Sequence, residues 1–275
     1  MTDNDQKQPT LVITGAANGI GKATVTRMAE TGWFVVGVDR DREALNAALE
    51  GLAGATVVGD VRDIEVLHEA RSVAERNGEL RAWVNNAAMV RLAPLHLLEP
   101  VAIDEMLDID LRAVVFGVRE ALLSFLEHGV AGAIVNVSSV HARGGLPGYG
   151  PYDTAKGGIE ALTRYVCVEY GHLGVRCNAV APGAVSTKFD AQARLELGRH
   201  PTFISDANNL APMQRVSQPG EIAESIAFLI EGAPLAINGH TLAVDNGMSA
   251  RNYSFSPDER VVFMTGDKAS GEDRT

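Results

Sequence analysis

Short β-branched runs alternate along this chain with longer stretches whose apolar residues recur at helical spacing. The first set reads as strands over 11–13, 34–38, 56–58, 82–84, 133–137, 175–180 and 241–244. The second reads as helices over 19–31, 42–52, 64–77, 104–127, 152–170 and 221–230. Strand and helix in alternation point to βαβ units and a parallel sheet. With about seven strands and no linker that separates two cores, the expectation is α/β: a single doubly wound domain over 10–250, its seven-stranded parallel sheet flanked by helices. Residues 1–9 read as a polar tail and 184–213 as a long loop. Residues 251–275 are a polar extension whose end is expected to be disordered, with an apolar patch at 261–264.

Two helices break the expected amphipathic pattern. Positions 106–126 and 159–168 are apolar around most of the circumference. A helix outside a sheet should be polar on its far side, so these two are expected to be covered on both. The predicted cover is a second copy of the chain, in a homotetramer or homodimer.

Composition narrows the partners. Formal charge is −11, with 46% hydrophobic and 21% charged residues. An acidic chain without a Lys/Arg cluster argues against nucleic acid or an anionic membrane as partner. No apolar run reaches the ~18–20 residues of a membrane span. Cys167 and Cys177 are the two cysteines, expected as free core thiols in a reducing compartment. Residues 1–9 lack the apolar core of a secretion signal, so a cytoplasmic location is expected. Neither the cysteines nor the seven histidines show metal-ligand spacing.

Candidate chemistry enters with Tyr152 and Lys156, four residues apart on one helix face, and Ser139 upstream. A tyrosine that exchanges protons near neutrality must be drawn below its usual pKa of about 10. A neighbouring ammonium is expected to do that, making the pair a tuned general acid/base. Near the other end, the first strand runs into Thr14-Gly-Ala-Ala-Asn-Gly-Ile-Gly21 and then a helix. Gly15, Gly19 and Gly21 permit a tight turn and close approach to a phosphate, with Asn18 and Ile20 between them. The following helix N-terminus favours a pyrophosphate. Asp39 ends the second strand, where a carboxylate accepts ribose hydroxyls and repels a 2′-phosphate. Arg40 beside it is what a 2′-phosphate would want. NAD is expected as cofactor, and NADP less so.

The Thr14–Gly21 turn, Asn85-Asn-Ala-Ala88, Ser139, Tyr152-x-x-x-Lys156 and Pro182-Gly183 occur in this order on the expected elements. Together they resemble the short-chain dehydrogenase/reductase family, whose domain is of Rossmann type, over essentially 10–247. The resemblance implies a Tyr152 acid/base, a Ser139 that holds the substrate oxygen, and a Lys156 that also binds the nicotinamide ribose. It implies that Asp60 and Val61 cradle adenine, that Asn86 lines the cofactor groove, and that Val185 and Thr187 contact the carboxamide. Three positions depart from the family pattern: Ala88, Asn246 and Asp110. Asp110 stands where the family has an asparagine that holds a water linked to the lysine. Its carboxylate can hold that water, pair with Lys156 and offset its effect on Tyr152, or cap a kinked helix with little kinetic effect.

Substrate identity is less legible. The implied pocket takes Met89 and the segment to Leu92, the stretch 140–146 with His141, Gly183, and the loop over 184–213 as an apolar lid. His141 is a candidate hydrogen-bond partner for a second polar group on the substrate. Arg91 and Arg143 read as carboxylate recognition or as surface charge. The expected function is NAD-dependent hydride transfer between nicotinamide and a secondary alcohol or ketone of small or medium size, cyclic ones included. The alternatives are an NADPH-dependent ketoreductase, or a catalytically weakened dinucleotide-binding sensor or scaffold.

Overall fold

The computed structural model describes residues 7–187 and 211–250. Seven parallel strands form one sheet: β1 (Pro9–Thr14), β2 (Phe34–Asp39), β3 (Gly54–Val58), β4 (Glu79–Asn85), β5 (Ala133–Val137), β6 (Arg176–Pro182) and β7 (Thr241–Val244). Their order is β3-β2-β1-β4-β5-β6-β7. The order reverses between β1 and β4, so the carboxyl ends of these strands open a crevice. The helices are α1 (Gly19–Glu30), α2 (Arg42–Leu49), α3 (Ile64–Asn77), α4 (Pro100–Leu107), α5 (Ala113–His128), α6 (Gly150–Tyr170) and α7 (Pro219–Ala227).

Both sheet faces are dry. Leu11, Ile13, Val35, Val84, Val135 and Val180 pack against Val25 and Met28 of α1, Leu45 of α2 and Ile222 of α7. On the other face Val12, Val36, Trp83, Ile134 and Cys177 meet Leu67 of α3, Phe125 of α5 and Val166 of α6. Successive strand residues therefore enter different cores, which is why the strands read as continuous apolar runs.

Helix starts differ from the pattern-based expectation for one reason. Pro100, Pro151 and Pro219 each sit in a first turn, where a missing N–H costs nothing. The three helices thus begin before 104, 152 and 221. The expected helix over 104–127 is also interrupted by a π turn, Asp108–Arg112. That wider turn carries Asp110, which is fully buried. Cys167 and Cys177 are free thiols, and burial pushes the Cys177 thiol up to about 12. Among the described residues no helix is long and apolar enough to cross a membrane. The tail 1–6, the loop over 188–210 and the extension 251–275, with the lid and disorder expected of them, lie outside the described residues.

A buried polar chain crosses beneath the crevice. Trp83 Nε1 donates to Asn85 Oδ1 (2.9 Å), Asn85 Nδ2 to Asn136 Oδ1 (2.9 Å), and Asn136 Nδ2 to Thr163 Oγ1 (3.0 Å). Gly117 of α5 lies directly on it: an added Cβ would stand 2.1 Å from Asn85 Oδ1 and 2.8 Å from Trp83 Nε1. In an ordinary helix Gly→Ala gains about 0.5–1 kcal/mol. Here Gly117→Ala is expected instead to destabilise by about 1–3 kcal/mol through overpacking, measured as a lower urea midpoint at unchanged slope.

Candidate active site

The crevice gathers residues from six strand ends, β1 to β6. The turn after β1 has Gly15 at φ +67 and Gly19 at φ +55, values that favour glycine. A Cβ on Gly21 would lie 1.9 Å from Gly15 O and 2.8 Å from Asn86 Nδ2, so the first turn of α1 packs on this loop only without a side chain. Asn86 clamps the turn: its Nδ2 donates to Thr14 O (3.0 Å) and Gly15 O (3.1 Å). Thr14 Oγ1 accepts from Asn86 N (3.0 Å) and Ala87 N (3.1 Å). The sequence reading missed Thr14, although its place immediately before Gly15 was the available signal.

The start of α1 suits an anion. Asn18 makes no side-chain cap, and no acidic residue lies in the first turn. Its terminal amides and the dipole are therefore not committed to a carboxylate of the chain. Asn18, Gly19 and Thr187 line one cleft of about 600 Å³ that runs on to Lys22 and Pro219. Ile20 is half-buried against the core of that face. These residues fit a dinucleotide phosphate. Among the described residues no three His, Cys, Asp or Glu side chains gather as a metal site would require.

Asp39 is built into the turn as well as facing it. Its Oδ2 accepts from Ala17 N (3.1 Å) and its Oδ1 from Asp41 N (3.0 Å). Each oxygen keeps acceptor capacity for a further donor. Arg40 is exposed and exerts a weak pull on Asp60. Asp60 is held by Arg62, whose Nη2 donates to Oδ2 at 2.7 Å. That hydrogen bond holds the carboxyl below its usual range. Arg62 escaped the sequence reading, while Val61 is buried as a wall. On the far side of the crevice Gly183 N donates to Val244 O (3.3 Å), and Val185 bridges Ser217 in parallel.

Ser139, Tyr152 and Lys156 come together after β5 and on the first turns of α6, and are 6%, 8% and 2% exposed. Ser139 Oγ caps the turn Val140–Ala142 by accepting from His141 N (3.3 Å), and its hydroxyl is hydrogen-bonded to Tyr152. Lys156 Nζ donates to Val137 O (3.0 Å) and stands 5.3 Å from the Tyr152 ring centre. Burial pushes the Lys156 ammonium down, opposed by the Asp110 carboxylate.

Tyr152 corrects one expectation. Lys156 was expected to draw the phenol down. Burial instead holds it well above its usual value, the Asp110 charge raises it further, and the Ser139 hydrogen bond pulls the other way. Asp110 Oδ1 accepts from Met89 N (2.7 Å), whereas Oδ2 is buried with no hydrogen bond. Burial pushes this carboxyl up to about 7 against the pull of Lys156. Met89 thus serves the site through its backbone.

His141 stands beside Tyr152, with ring centres 5.5 Å apart. Arg143 is turned away to Glu160 of α6 (3.0 Å), which accounts for it as an ion pair. Arg91 is exposed.

The chain's relatives are of one kind. A family profile described as enoyl-(acyl carrier protein) reductase matches residues 15–249. A cis-4-hydroxycyclohexanecarboxylate dehydrogenase of Sinomonas cyclohexanicum is 38% identical, over 87% of this chain and 96% of that protein. A 3beta-hydroxysteroid dehydrogenase of Eggerthella lenta is 32% identical, over 90% and 95%. The crystal structure of an actinorhodin polyketide ketoreductase variant with NADPH superposes with a TM-score of 0.84 at 27% identity, covering 92% of this chain and all of that one. With its glycine turn at the sheet's switch point and its Ser139, Tyr152 and Lys156 beyond β5, the chain belongs to the short-chain dehydrogenase/reductase family of oxidoreductases.

Proposed function

We propose that this protein is an NAD(H)-linked dehydrogenase of small secondary alcohols, run in reverse as a ketone reductase, with Tyr152 as its acid/base. The observation that carries the reading is the shared burial of Ser139, Tyr152 and Lys156, with the Ser139 hydroxyl bonded to the phenol. A nicotinamide dinucleotide held by these residues would supply the hydride chemistry at the carbinol carbon. Tyr152 takes the hydroxyl proton during oxidation and returns it during reduction. Ser139 holds the substrate oxygen within reach of that phenol. Lys156, fixed by Val137 O, binds the nicotinamide ribose and supplies positive charge when the phenolate forms.

For the dinucleotide, Gly15, Asn18, Gly19, Ile20 and Gly21 form the phosphate cradle, and Asn86 keeps its shape. Val61 and Asp60 line the adenine side, while Val185 and Thr187 face the nicotinamide. Asp39 favours NAD, because its charge repels a 2′-phosphate. The NADPH-bound ketoreductase likeness and exposed Arg40 support the alternative NADP reading. Met89, His141 and Gly183 border the substrate, and the relatives named for ring carbinols favour a cyclic one. Two free thiols support a cytoplasmic setting. Val115, Leu123 and Leu126 of α5, with Tyr165 and Val168 of α6, are exposed apolar residues, Val168 at 81%. They support assembly of copies through these helices.

The primary test is a panel of secondary alcohols and ketones assayed with NAD and NADP in parallel. Turnover with NAD is expected, and Tyr152→Phe should lower kcat by about 10²–10⁴-fold, the usual weight of a general acid/base. Equal rates for the two proteins would overturn the reading. The Asp110 charge raises the Tyr152 phenol, so a neutral group there should let the phenolate form at lower pH. The limb over which kcat/KM for alcohol oxidation rises with pH, which reports deprotonation of Tyr152, is accordingly expected to move to lower pH in Asp110→Asn. Light scattering of the purified chain should give a mass at least twice that of the monomer.

A further inference from the structure

The cluster next to Tyr152 contains a hydrogen-bonded pair that the proposed chemistry does not use. His141 Nδ1 and Asp153 Oδ1 are 2.8 Å apart. Asp153 Oδ2 accepts from Leu146 N (3.2 Å), so one carboxylate ties the whole 140–146 wall to the helix that carries Tyr152. The His141 ring is held from two further sides. Tyr149 lies 4.5 Å away at 44°, and Tyr152 lies 5.5 Å away at 83°. Its backbone N–H is bonded to Ser139 Oγ. Ring position, ring orientation and backbone are all fixed by residues of the site itself.

That arrangement sets the tautomer. An ionised carboxylate only accepts, so the proton between the two residues belongs to Nδ1. Burial also holds the imidazole below its ordinary pKa, leaving Nε2 as a bare lone pair. Nε2 has no hydrogen-bond partner among the described residues, and it is not sealed away as a buried unsatisfied atom. A fixed acceptor, held by the hydrogen bonds to Asp153 and Ser139 with 13% of its side chain still exposed, is available to a donor. Packing alone would not require the second ring nitrogen to stay unpaired.

The geometry points to His141 as a specificity residue: it accepts a hydrogen bond from a second hydroxyl of the substrate, with Asp153 as the positioning residue that fixes its tautomer. This rests on the dehydrogenase reading above. The two rings lie 5.5 Å apart, close enough for one small molecule to meet both, with its second hydroxyl on the carbocycle that bears the reacting carbon. The substrate class is therefore a cyclic diol or hydroxyketone rather than a simple carbinol.

The test compares cyclohexanol with cis- and trans-1,4-cyclohexanediol by kcat/KM in the wild-type enzyme, His141→Leu, His141→Gln and Asp153→Asn. Wild type is expected to prefer one diol over cyclohexanol by about 10–100-fold. In His141→Leu that ratio should collapse towards unity, whatever happens to the absolute rates. His141→Gln retains an acceptor oxygen and should keep part of the ratio. Asp153→Asn presents an amide that donates to Nδ1 and installs the other tautomer, so it should lower the ratio with the ring still in place. A purely structural pair would lower all substrates together and leave the ratio intact, which would overturn the proposal. Wild-type enzyme that uses cyclohexanol as well as either diol would overturn it too. With no carbinol in the wider panel oxidised at all, the dehydrogenase reading itself falls and takes this one with it.

Discussion

An ammonium kept out of water organises the site. Lys156 is 2% exposed, and an uncompensated charge in such a place costs on the order of several kcal/mol. Compensation comes from the carbonyl of Val137 at 3.0 Å and the carboxylate of Asp110. The first fastens α6 to the end of β5; the second requires the chain before α5 to turn Asp110 inward. The π turn Asp108–Arg112 does that, and its carboxylate in turn fixes the backbone at Met89. Thus one buried cation defines how three separate segments approach Tyr152.

The same compensation works against the phenol. A negative charge that makes Lys156 tolerable makes a second negative charge at Tyr152 less so. An asparagine would have offered a dipole where this chain offers a titratable group. The opposing influence is local: the Ser139 hydroxyl is hydrogen-bonded to the phenol and also accepts from His141 N. The charge balance around this phenol involves Asp110 and Ser139 as well as Lys156, rather than one lysine–tyrosine pair.

Much of this was legible before any coordinates. The strand–helix alternation specified the parallel sheet because each strand was apolar on successive residues. The glycine turn, Asp39 and the Ser139, Tyr152, Lys156 spacing marked both ends of the crevice. What escaped had no periodic signature. A π turn differs from an α turn by one hydrogen bond register, so the continuous apolar pattern over 104–127 concealed it. The Asp153–His141 pair spans twelve residues through a wall whose return path no spacing rule encodes. The Thr14–Asn86 clamp joins residues 72 apart that meet only because β1 and β4 are neighbours. Arg62 had a local signal, standing two residues from Asp60, but no motif singled it out as the partner of that carboxylate.

The frame around 188–210 is unusually well secured. Before it, Ser186 N donates to Ser217 O (2.8 Å) and Ser217 N to Ala184 O (3.0 Å). After it, Asn246 Nδ2 donates to Ser217 Oγ (2.8 Å) and to Arg215 O (3.3 Å). Both stems are thus stitched to each other and to the end of β7, independently of what lies between. Loop-closure entropy grows only with the logarithm of length, about 0.6 kcal/mol per doubling. Changes of length between those stitches therefore cost little closure entropy and leave the paired stems, and the strand ends they brace, where they are.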